Sequence, residues 1–262
     1  MTHPKSRRNR RGDNGGEQLP LFTLLANAPS GQMAKPGELI DFRVKGDKLT
    51  RRDLEIENLL LRNALATRER FGMVGGVFNI RLAVLRGSHN GTDRIDASLE
   101  RLQASLMQIS HGDRNKLSVA KLGTWKRGEM NGVPDGMLEY TYPRDYVEVI
   151  HNSMFHGMLD LERMARLSSK YAYRLYEVAS RRVKLRHVTS ETFAPDYMRH
   201  DVLGVPAGKL SDSNSLLRRA IQPAVEQVNA IAPFQLDVVP LVEKRRTLGY
   251  CMSWTSAGDV VA

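Results

Sequence analysis

Polar side chains that could bind a nucleic acid recur every three or four residues in one stretch of the chain. On a helix this spacing places most of them on one face. They are Ser211, Ser215, Arg218, Arg219 and Gln222. An arginine guanidinium can bond O6 and N7 of guanine in bidentate fashion, while serine and glutamine can pair with base edges or phosphates. An isolated helix often shows such a face only because it is solvated, so this pattern gives a candidate site and no more.

Three consecutive cations, Lys244, Arg245 and Arg246, follow that stretch. They lie between two predicted strands, near 234–239 and 248–254, and would therefore occupy the tip of a hairpin. From a tip they could reach a phosphate backbone or an adjacent minor groove. Charged tips are also common simply because tips are wet, so it is the combination with the preceding basic helix that favours DNA binding.

A second candidate surface lies in the first half of the chain, on a helix predicted from Thr92. The spacing predicts Ile95, Leu99, Leu102 and Leu106 on its inner side and Arg94, Ser98 and Arg101 on its outer side. Lys126 and Arg127 are predicted near a wing-like turn. Acidic residues interleave with these cations, which leaves two alternatives open: a weaker DNA-reading surface or a dimerisation surface.

Motifs for nucleotide, metal or covalent chemistry are incomplete. Residues 204–209 are one residue short of the GxxxxGK phosphate loop, and Leu210 replaces the Ser or Thr that would hold magnesium. His151 and His156 are separated by residues that include no carboxylate, unlike a metalloprotease motif. The tyrosines fall at helix or strand spacing, which is typical of core positions. We therefore expect no enzymatic activity and no cofactor.

Composition favours an anionic partner. The 262 residues include 39 Lys and Arg against 29 Asp and Glu, for a formal net charge of +10. Nucleic acid is the commonest such partner, because phosphate binding releases condensed counterions; an anionic membrane surface and an acidic protein remain open. Cys251 is the only cysteine, which excludes an intrachain disulfide and a cysteine zinc finger. No apolar run reaches the roughly 18 residues of a membrane span, so we expect a cytoplasmic protein with no membrane partner.

The elements that must position these residues occur twice in the same order. In the first half Thr50 and Asp53 form a predicted N-cap pair, followed by a short segment at 77–80, the helix from Thr92 and a glycine-broken alternating stretch over 117–142. In the second half a helix over about 160–181 precedes a shorter segment at 192–203, an amphipathic helix over 213–231 and two strands. In the last strand, alternation predicts one shared face for Leu248, Tyr250, Met252 and Trp254.

This order predicts an α+β fold with two tandem winged-helix domains behind a flexible basic N-terminal arm. The predicted boundaries are 1–45 for the arm, 46–165 for the first domain and 166–257 for the second. The arm carries Lys5, Arg7, Arg8, Arg10 and Arg11 before its first acidic residue. It is either a solvated tail or a non-specific phosphate contact.

Several segments resemble the plasmid replication initiators that bind iterons, the family of Rep proteins. Residues 167–177, LSSKYAYRLYE, resemble the signature helix that opens the family's second winged-helix domain. Residues 216–229, LLRRAIQPAVEQVN, resemble its recognition helix, including the proline within the helix. The sequence PFQL at 233–236 and Gly249-Tyr250 match its terminal hairpin, and the first half is similar in its order of elements and at 78–80.

The resemblance implies a protein that binds tandem repeats at a plasmid origin as a monomer and helps to open the duplex for host replication proteins. It also implies a homodimer that represses its own promoter. Arg218 and Arg219 would then contact bases or phosphates, the 244–246 tip the backbone, and the first domain a second DNA site. The chain departs from the family's more apolar pattern at 179–182, at the end of the predicted helix over 160–181. A plain winged-helix transcriptional regulator is the main alternative, and a DNA-nicking relaxase, which needs a histidine cluster or nucleophilic tyrosine, is the third.

Overall fold

The computed structural model describes residues 31–45, 49–67, 76–86, 93–111, 115–128, 132–133, 135–185 and 187–256. Its helices are Arg51–Ala66, Leu82–Arg86, Asp93–Ala104, Arg144–Asn152, Leu161–Met164, Lys170–Arg182, Pro195–Tyr197, Ser213–Leu216 and Gln222–Asn229, with π-helical turns at Met198–Val202 and Leu217–Ile221 and a 3-10 turn at Gly37–Leu39. Its strands are β1 Gln32–Pro36, β2 Arg43–Lys45, β3 Val77–Arg81, β4 Leu106–His111, β5 Asn115–Ala120, β6 Trp125–Arg127, β7 Met137–Thr141, β8 His156–Asp160, β9 Ser190–Phe193, β10 Phe234–Glu243 and β11 Arg246–Ser256. The predicted α+β class is confirmed.

The second half has the element order and strand pairing of a winged helix. After the Lys170–Arg182 helix come β9, the short helix at 195–202, a long helix at 213–229 and the β10–β11 hairpin. Strand β11 pairs antiparallel with both β10 and β9, giving the sheet order β10-β11-β9. The predicted continuous helix over 160–181 is wrong in that it is interrupted: Leu161–Met164 forms a short helix with Asp160 as its N-cap, and the main helix begins at Lys170 with Ser169 as its N-cap.

The first half divides its strands among three sheets, one of which is the β1–β8 pair. Thr50 and Asp53 form the predicted capping box at the start of the Arg51–Ala66 helix. The other two sheets have the orders β2-β4-β5 and β3-β7-β6, so the hairpin that directly follows the Asp93–Ala104 helix is β4–β5. Leu106 starts β4 and is 40% exposed, so its predicted place on the inner side of the helix is wrong. Lys126 and Arg127 are the last two residues of β6, directly before Gly128, which has a φ of 83°.

The predicted flexible arm is wrong for residues 31–45. Strand β1 pairs antiparallel with β8, from Gln32 opposite Asp160 to Pro36 opposite His156. The segment contributes fully buried core residues, among them Met33, Ala34, Leu39 and Ile40. Its partner strand lies more than a hundred residues away in sequence, so the local sequence pattern of residues 31–45 could not predict the pairing. The basic residues at 5–11 lie outside the described residues.

Buried charges join the two halves. Lys35 of β1 donates to Asn58 Oδ1 at 2.9 Å and to Glu177 Oε1 at 2.8 Å, and Arg174 Nη1 donates to Glu177 Oε2 at 3.0 Å. Asn58 belongs to the Arg51–Ala66 helix, whereas Arg174 and Glu177 belong to the Lys170–Arg182 helix. Lys35, Asn58 and Glu177 have no exposed surface. The predicted boundary at 165/166 therefore has a continuous core on both sides of it.

Candidate nucleic-acid interface

The 213–229 helix is amphipathic, as predicted. Its buried side contains Leu216, Ala220, Ile221, Ala224 and Val228, and its exposed side contains Asn214, Arg218, Arg219, Gln222 and Glu226. The buried side packs on the Lys170–Arg182 helix and on β10. Burial of this stripe against the core fixes which side chains the helix presents to solvent.

A π-helical turn, Leu217–Ile221, lies in the middle of this helix and ends two residues before Pro223. The N–H of Gln222 donates to Leu217 O, five residues back. Proline has no N–H, and in a regular helix its ring clashes with the carbonyl of the fourth preceding residue. The wider turn accommodates that ring, and such turns often occur at functional sites. Arg218 and Arg219 both lie in the π turn and both are exposed.

Three side chains, from Arg199, Asp212 and Tyr250, form hydrogen bonds at the start of the helix. Arg199 donates from Nε to Leu210 O and from Nη2 to Ser211 O, both at 2.9 Å. These bonds hold Leu210 in a left-handed conformation, φ 48°, which is costly for a branched residue. The Oδ1 atom of Asp212 accepts from the N–H groups of the next helical turn, and Tyr250 Oη donates to Ser213 O at 3.3 Å. Arg199 is thus a positioning residue that no sequence pattern indicated, since its partners lie eleven and twelve residues away.

The predicted polar residues at the helix start divide into different roles. Ser211 is exposed just before the helix. Ser215 is partly buried, and hydrogen bonds from its hydroxyl and its N–H lower the pKa of Asp212, so its side chain stabilises the cap. Asn214, which the sequence reasoning missed, is exposed in the first turn on the same side as Arg218. Its amide could pair with adenine N6 and N7. The sequence could have indicated this residue once Asp212 was identified as the N-cap, because Asn214 then lies in the first turn of the helix.

The β10–β11 hairpin ends in a two-residue turn with Lys244 at φ 46° and Arg245 at φ 67°. Positive φ at both central residues is the geometry of a type I′ turn, which favours Asn-Gly. Lys244, Arg245 and Arg246 are all exposed. The tip therefore concentrates three cations in a turn whose backbone geometry suits smaller residues.

One prediction for β11 is wrong. Tyr250, Met252 and Trp254 are buried, whereas Leu248 is 53% exposed. Leu241 pairs with Gly249 but Val242 pairs with Thr247, so a β-bulge interrupts the ladder. The extra residue breaks the alternation of faces and places Leu248 in solvent.

The first-half candidates are separated by their contacts. Arg94 is exposed, as predicted. Ser98 is fully buried, so its predicted outward position is wrong. Arg101 forms a bidentate pair with Asp53, from Nε to Oδ2 at 2.9 Å and from Nη2 to Oδ1 at 2.8 Å. Burial alone would raise the pKa of Asp53, but the hydrogen bonds from Arg101 and Thr50 outweigh it and lower that pKa. This guanidinium therefore serves the packing of two helices, and Arg94 is the one of the three that is fully available to a partner.

The comparisons with known proteins concern the fold. No family model matches the chain, and no curated protein matches it. Among solved structures, the Pi initiator protein in complex with iteron DNA superposes with a TM-score of 0.53 at 14% identity, over 82% of this chain and 96% of that one. Domains 2 and 3 of RctB give a TM-score of 0.48 at 9% identity, over 90% and 98% of the two chains, a likeness too weak to argue from. This chain therefore has the fold of the Pi replication initiator.

Proposed function

We propose that this protein is a plasmid replication initiator that binds repeated double-stranded DNA sites through its winged helices. The observation that carries the proposal is that two surfaces with exposed cations occur in the same winged-helix unit. One is Arg218 and Arg219 on the 213–229 helix, and the other is the hairpin tip with Lys244, Arg245 and Arg246. The solved structure with the same fold holds iteron DNA. A helix of this type inserts its N-terminal part into the major groove while the wing contacts the flanking backbone.

We further propose that the protein binds DNA without cleaving it. The described residues contain no group of three His, Cys, Asp or Glu side chains that could hold a metal ion. Burial raises the pKa of Tyr176 to about 12 and raises the pKa of Tyr140, Tyr142 and Tyr173, which opposes formation of a nucleophilic phenolate. Incubation with supercoiled DNA and magnesium should leave the DNA intact; nicking would contradict this part of the proposal.

The finer parts of the proposal follow the family resemblance. The protein would help to open an origin for host replication proteins, would repress its own gene as a homodimer, and would work in the bacterial cytoplasm. No helix among the described residues is long and apolar enough to span a membrane. A transcriptional regulator with a single operator is the second candidate, because the helix and wing would serve either purpose.

A footprint of the purified protein on DNA flanking its own coding sequence, near physiological salt, tests the proposal. Protection of several tandem direct repeats is the expected result. Protection of one inverted repeat over a promoter would favour the regulator, and absence of any protection would contradict sequence-specific binding.

Replacing Lys244, Arg245 and Arg246 together with Ala should weaken binding to cognate and random DNA alike. These side chains are exposed at a hairpin tip, where they can neutralise phosphates. Each lost phosphate contact should flatten the slope of log K against log salt by about 0.9. Titrations at four salt concentrations measure the slope, with Lys184→Ala, an exposed lysine outside the hairpin, as the control. An unchanged slope would remove the tip from the interface.

Replacing the turn pair by Lys244→Asn and Arg245→Gly should stabilise the protein while weakening DNA binding. Both residues now occupy a left-handed conformation that costs an ordinary residue about 1–2 kcal/mol, and Asn-Gly suits the turn. We expect a rise of a few degrees in Tm together with a lower affinity. Lys244→Gln with Arg245→Gln is the control, because it removes the charges and keeps the strain. A Tm gain in that control would show that charge repulsion, not backbone geometry, limits stability.

A further inference from the structure

A cavity of about 400 Å³ lies between the two halves of the protein. The first half lines it with residues 42–45 and Leu54, and the second half lines it with Lys170 and residues 203–207. Eight of the fifteen lining residues are apolar, and the volume falls within the roughly 300–1,000 Å³ that is typical of small-molecule sites. None of the cations on the 213–229 helix or at the hairpin tip lines it. The cavity is therefore a candidate ligand site that is separate from the proposed DNA-binding surfaces.

The walls of the cavity are held by contacts that cross between the halves. The buried Arg174 donates from Nη2 to Ile40 O at 2.7 Å, and its guanidinium carbon lies 4.1 Å from the centre of the Phe42 ring. Arg43 donates from Nε to Asp201 Oδ2 at 3.0 Å. Because these side chains are fixed by partners on the opposite half, the cavity is preformed, as most small-molecule sites are.

The charges around the cavity indicate an anionic ligand. Among the described residues, five of those that line it are basic and none is acidic. The basic ones are Arg43, Lys45, Lys170, Arg174 and His200. Arg43 pairs with Asp201, and Arg174 pairs with Glu177 at 3.0 Å. Lys45, in contrast, is exposed and forms no ion pair with another residue of the described ranges. An apolar cavity with a cation at its mouth favours a ligand that has an apolar body and a negative charge.

We propose that this cavity binds a small amphipathic anion. Its apolar body would pack among the side chains of Val44, Leu54 and Val205, and its carboxylate, sulfonate or phosphate group would lie near Lys45 at the mouth. A ligand in this position contacts both halves of the protein, so its binding stabilises the folded state by linkage. The site goes beyond the proposed function, because binding of this ligand does not require binding of DNA.

Fluorescence titration of the full chain with anilinonaphthalene sulfonate tests the proposal, because this probe combines an apolar ring system with one negative charge. Its neutral analogue phenylnaphthylamine has the same rings without the sulfonate. We expect saturable binding of one anion per protein and a Kd about tenfold lower than that of the analogue, since only the anion can form charge-assisted contacts with the lysines. At about a hundred times its Kd, the anion should also raise Tm in calorimetry by several degrees.

Two variants locate the bound probe. Val44→Phe, on β2, should abolish saturable binding of both probes, because the added ring occupies part of the cavity. Val77→Phe, the same change at an exposed position of β3, is its matched control. Lys45→Gln should raise the Kd of the anion about fivefold and leave that of the neutral analogue unchanged, as loss of an exposed ion contact predicts. Lys184→Gln, at an exposed lysine outside the cavity, is the control for that change.

Circular dichroism and Tm of every variant establish that it is folded, and Lys45→Gln alters only an exposed side chain, so it tests the site even if Val44→Phe lowers stability. Absence of saturable binding by the wild-type protein would overturn the inference. Equal Kd values for the anion and its neutral analogue would overturn it as well, and so would unchanged binding to folded Val44→Phe, because the probe would then lie elsewhere. These measurements use no DNA, so failure of the proposed function would leave this inference standing.

Discussion

Replacing Arg218 with Ala should raise the Kd for the cognate DNA site about 10- to 100-fold and relax sequence preference. The guanidinium is exposed on the π-helical turn of a helix whose entry is held by Arg199 and Asp212. A bidentate contact from such a side chain to guanine discriminates against the wrong base by about 1–3 kcal/mol. The same change at Arg219 should have an effect of the same order. Competition binding with cognate and random duplexes at fixed salt measures both affinity and preference.

The control for these variants is Arg144→Ala. Arg144 is 71% exposed on the Arg144–Asn152 helix and pairs with Glu148, outside the candidate interface. It should leave both affinities unchanged, and all three variants should unfold within about 0.5 kcal/mol of the wild type, as surface substitutions usually do. Equal weakening of Arg218→Ala on cognate and random DNA would mean that this side chain contacts only phosphate.

Replacing Glu177 with Gln should lower the free energy of unfolding by about 3–5 kcal/mol. The carboxylate is fully buried between the cations Lys35 and Arg174 and also accepts from Asn58 Nδ2 at 2.9 Å. Removing one partner of a buried ion pair is strongly destabilising, because it leaves an uncompensated buried charge. Here Arg174 would lose its carboxylate partner and Lys35 would keep only the more distant Glu57, 3.9 Å away. We therefore expect Tm to fall by about 10 °C, which chemical denaturation and thermal melts would measure.

The pH dependence of this effect has a defined sign. Burial alone would raise the pKa of Glu177, but the charges of Lys35 and Arg174 outweigh it and hold that pKa below its ordinary value of 4.5. The folded protein therefore binds fewer protons than the unfolded chain in the acidic range. The stabilisation is complete above pH 4.5 and is lost as the pH falls below it. The difference in stability between wild type and Glu177→Gln should accordingly shrink on acidification.

Two further variants sharpen the test of the buried network. Glu226→Gln makes the same change on the exposed side of the 213–229 helix and should leave Tm unchanged. Combining Glu177→Gln with Lys35→Met removes one stranded cation and should recover part of the lost stability, as coupling between contacting residues requires. A Glu177→Gln protein within 0.5 kcal/mol of the wild type would show that the network does not hold the two halves together.

The sequence determined the features that depend on local periodicity. The 213–229 helix has its predicted buried stripe because side chains at helical spacing must share a face. The hairpin at 234–256 and the Thr50–Asp53 cap follow from alternation and from short-range capping chemistry for the same reason. The positive charge of the helix and of the hairpin tip could also be seen in the sequence, and it led to the expectation of a nucleic-acid partner.

The tertiary structure decided which of those polar residues are available to a partner. Arg101 was predicted to face solvent, but Asp53 binds it from a helix that starts more than forty residues earlier. Ser98 is buried in the same helix contact. Residues 31–45 were predicted to belong to a flexible arm, but strand β1 pairs with β8. Leu248 was predicted to share the buried face of β11, but the bulge places it in solvent. Sequence periodicity predicts which side chains share a face. Whether that face packs against the core or is exposed to solvent depends on strand pairing, helix packing and bulges, and these are determined by residues distant in sequence.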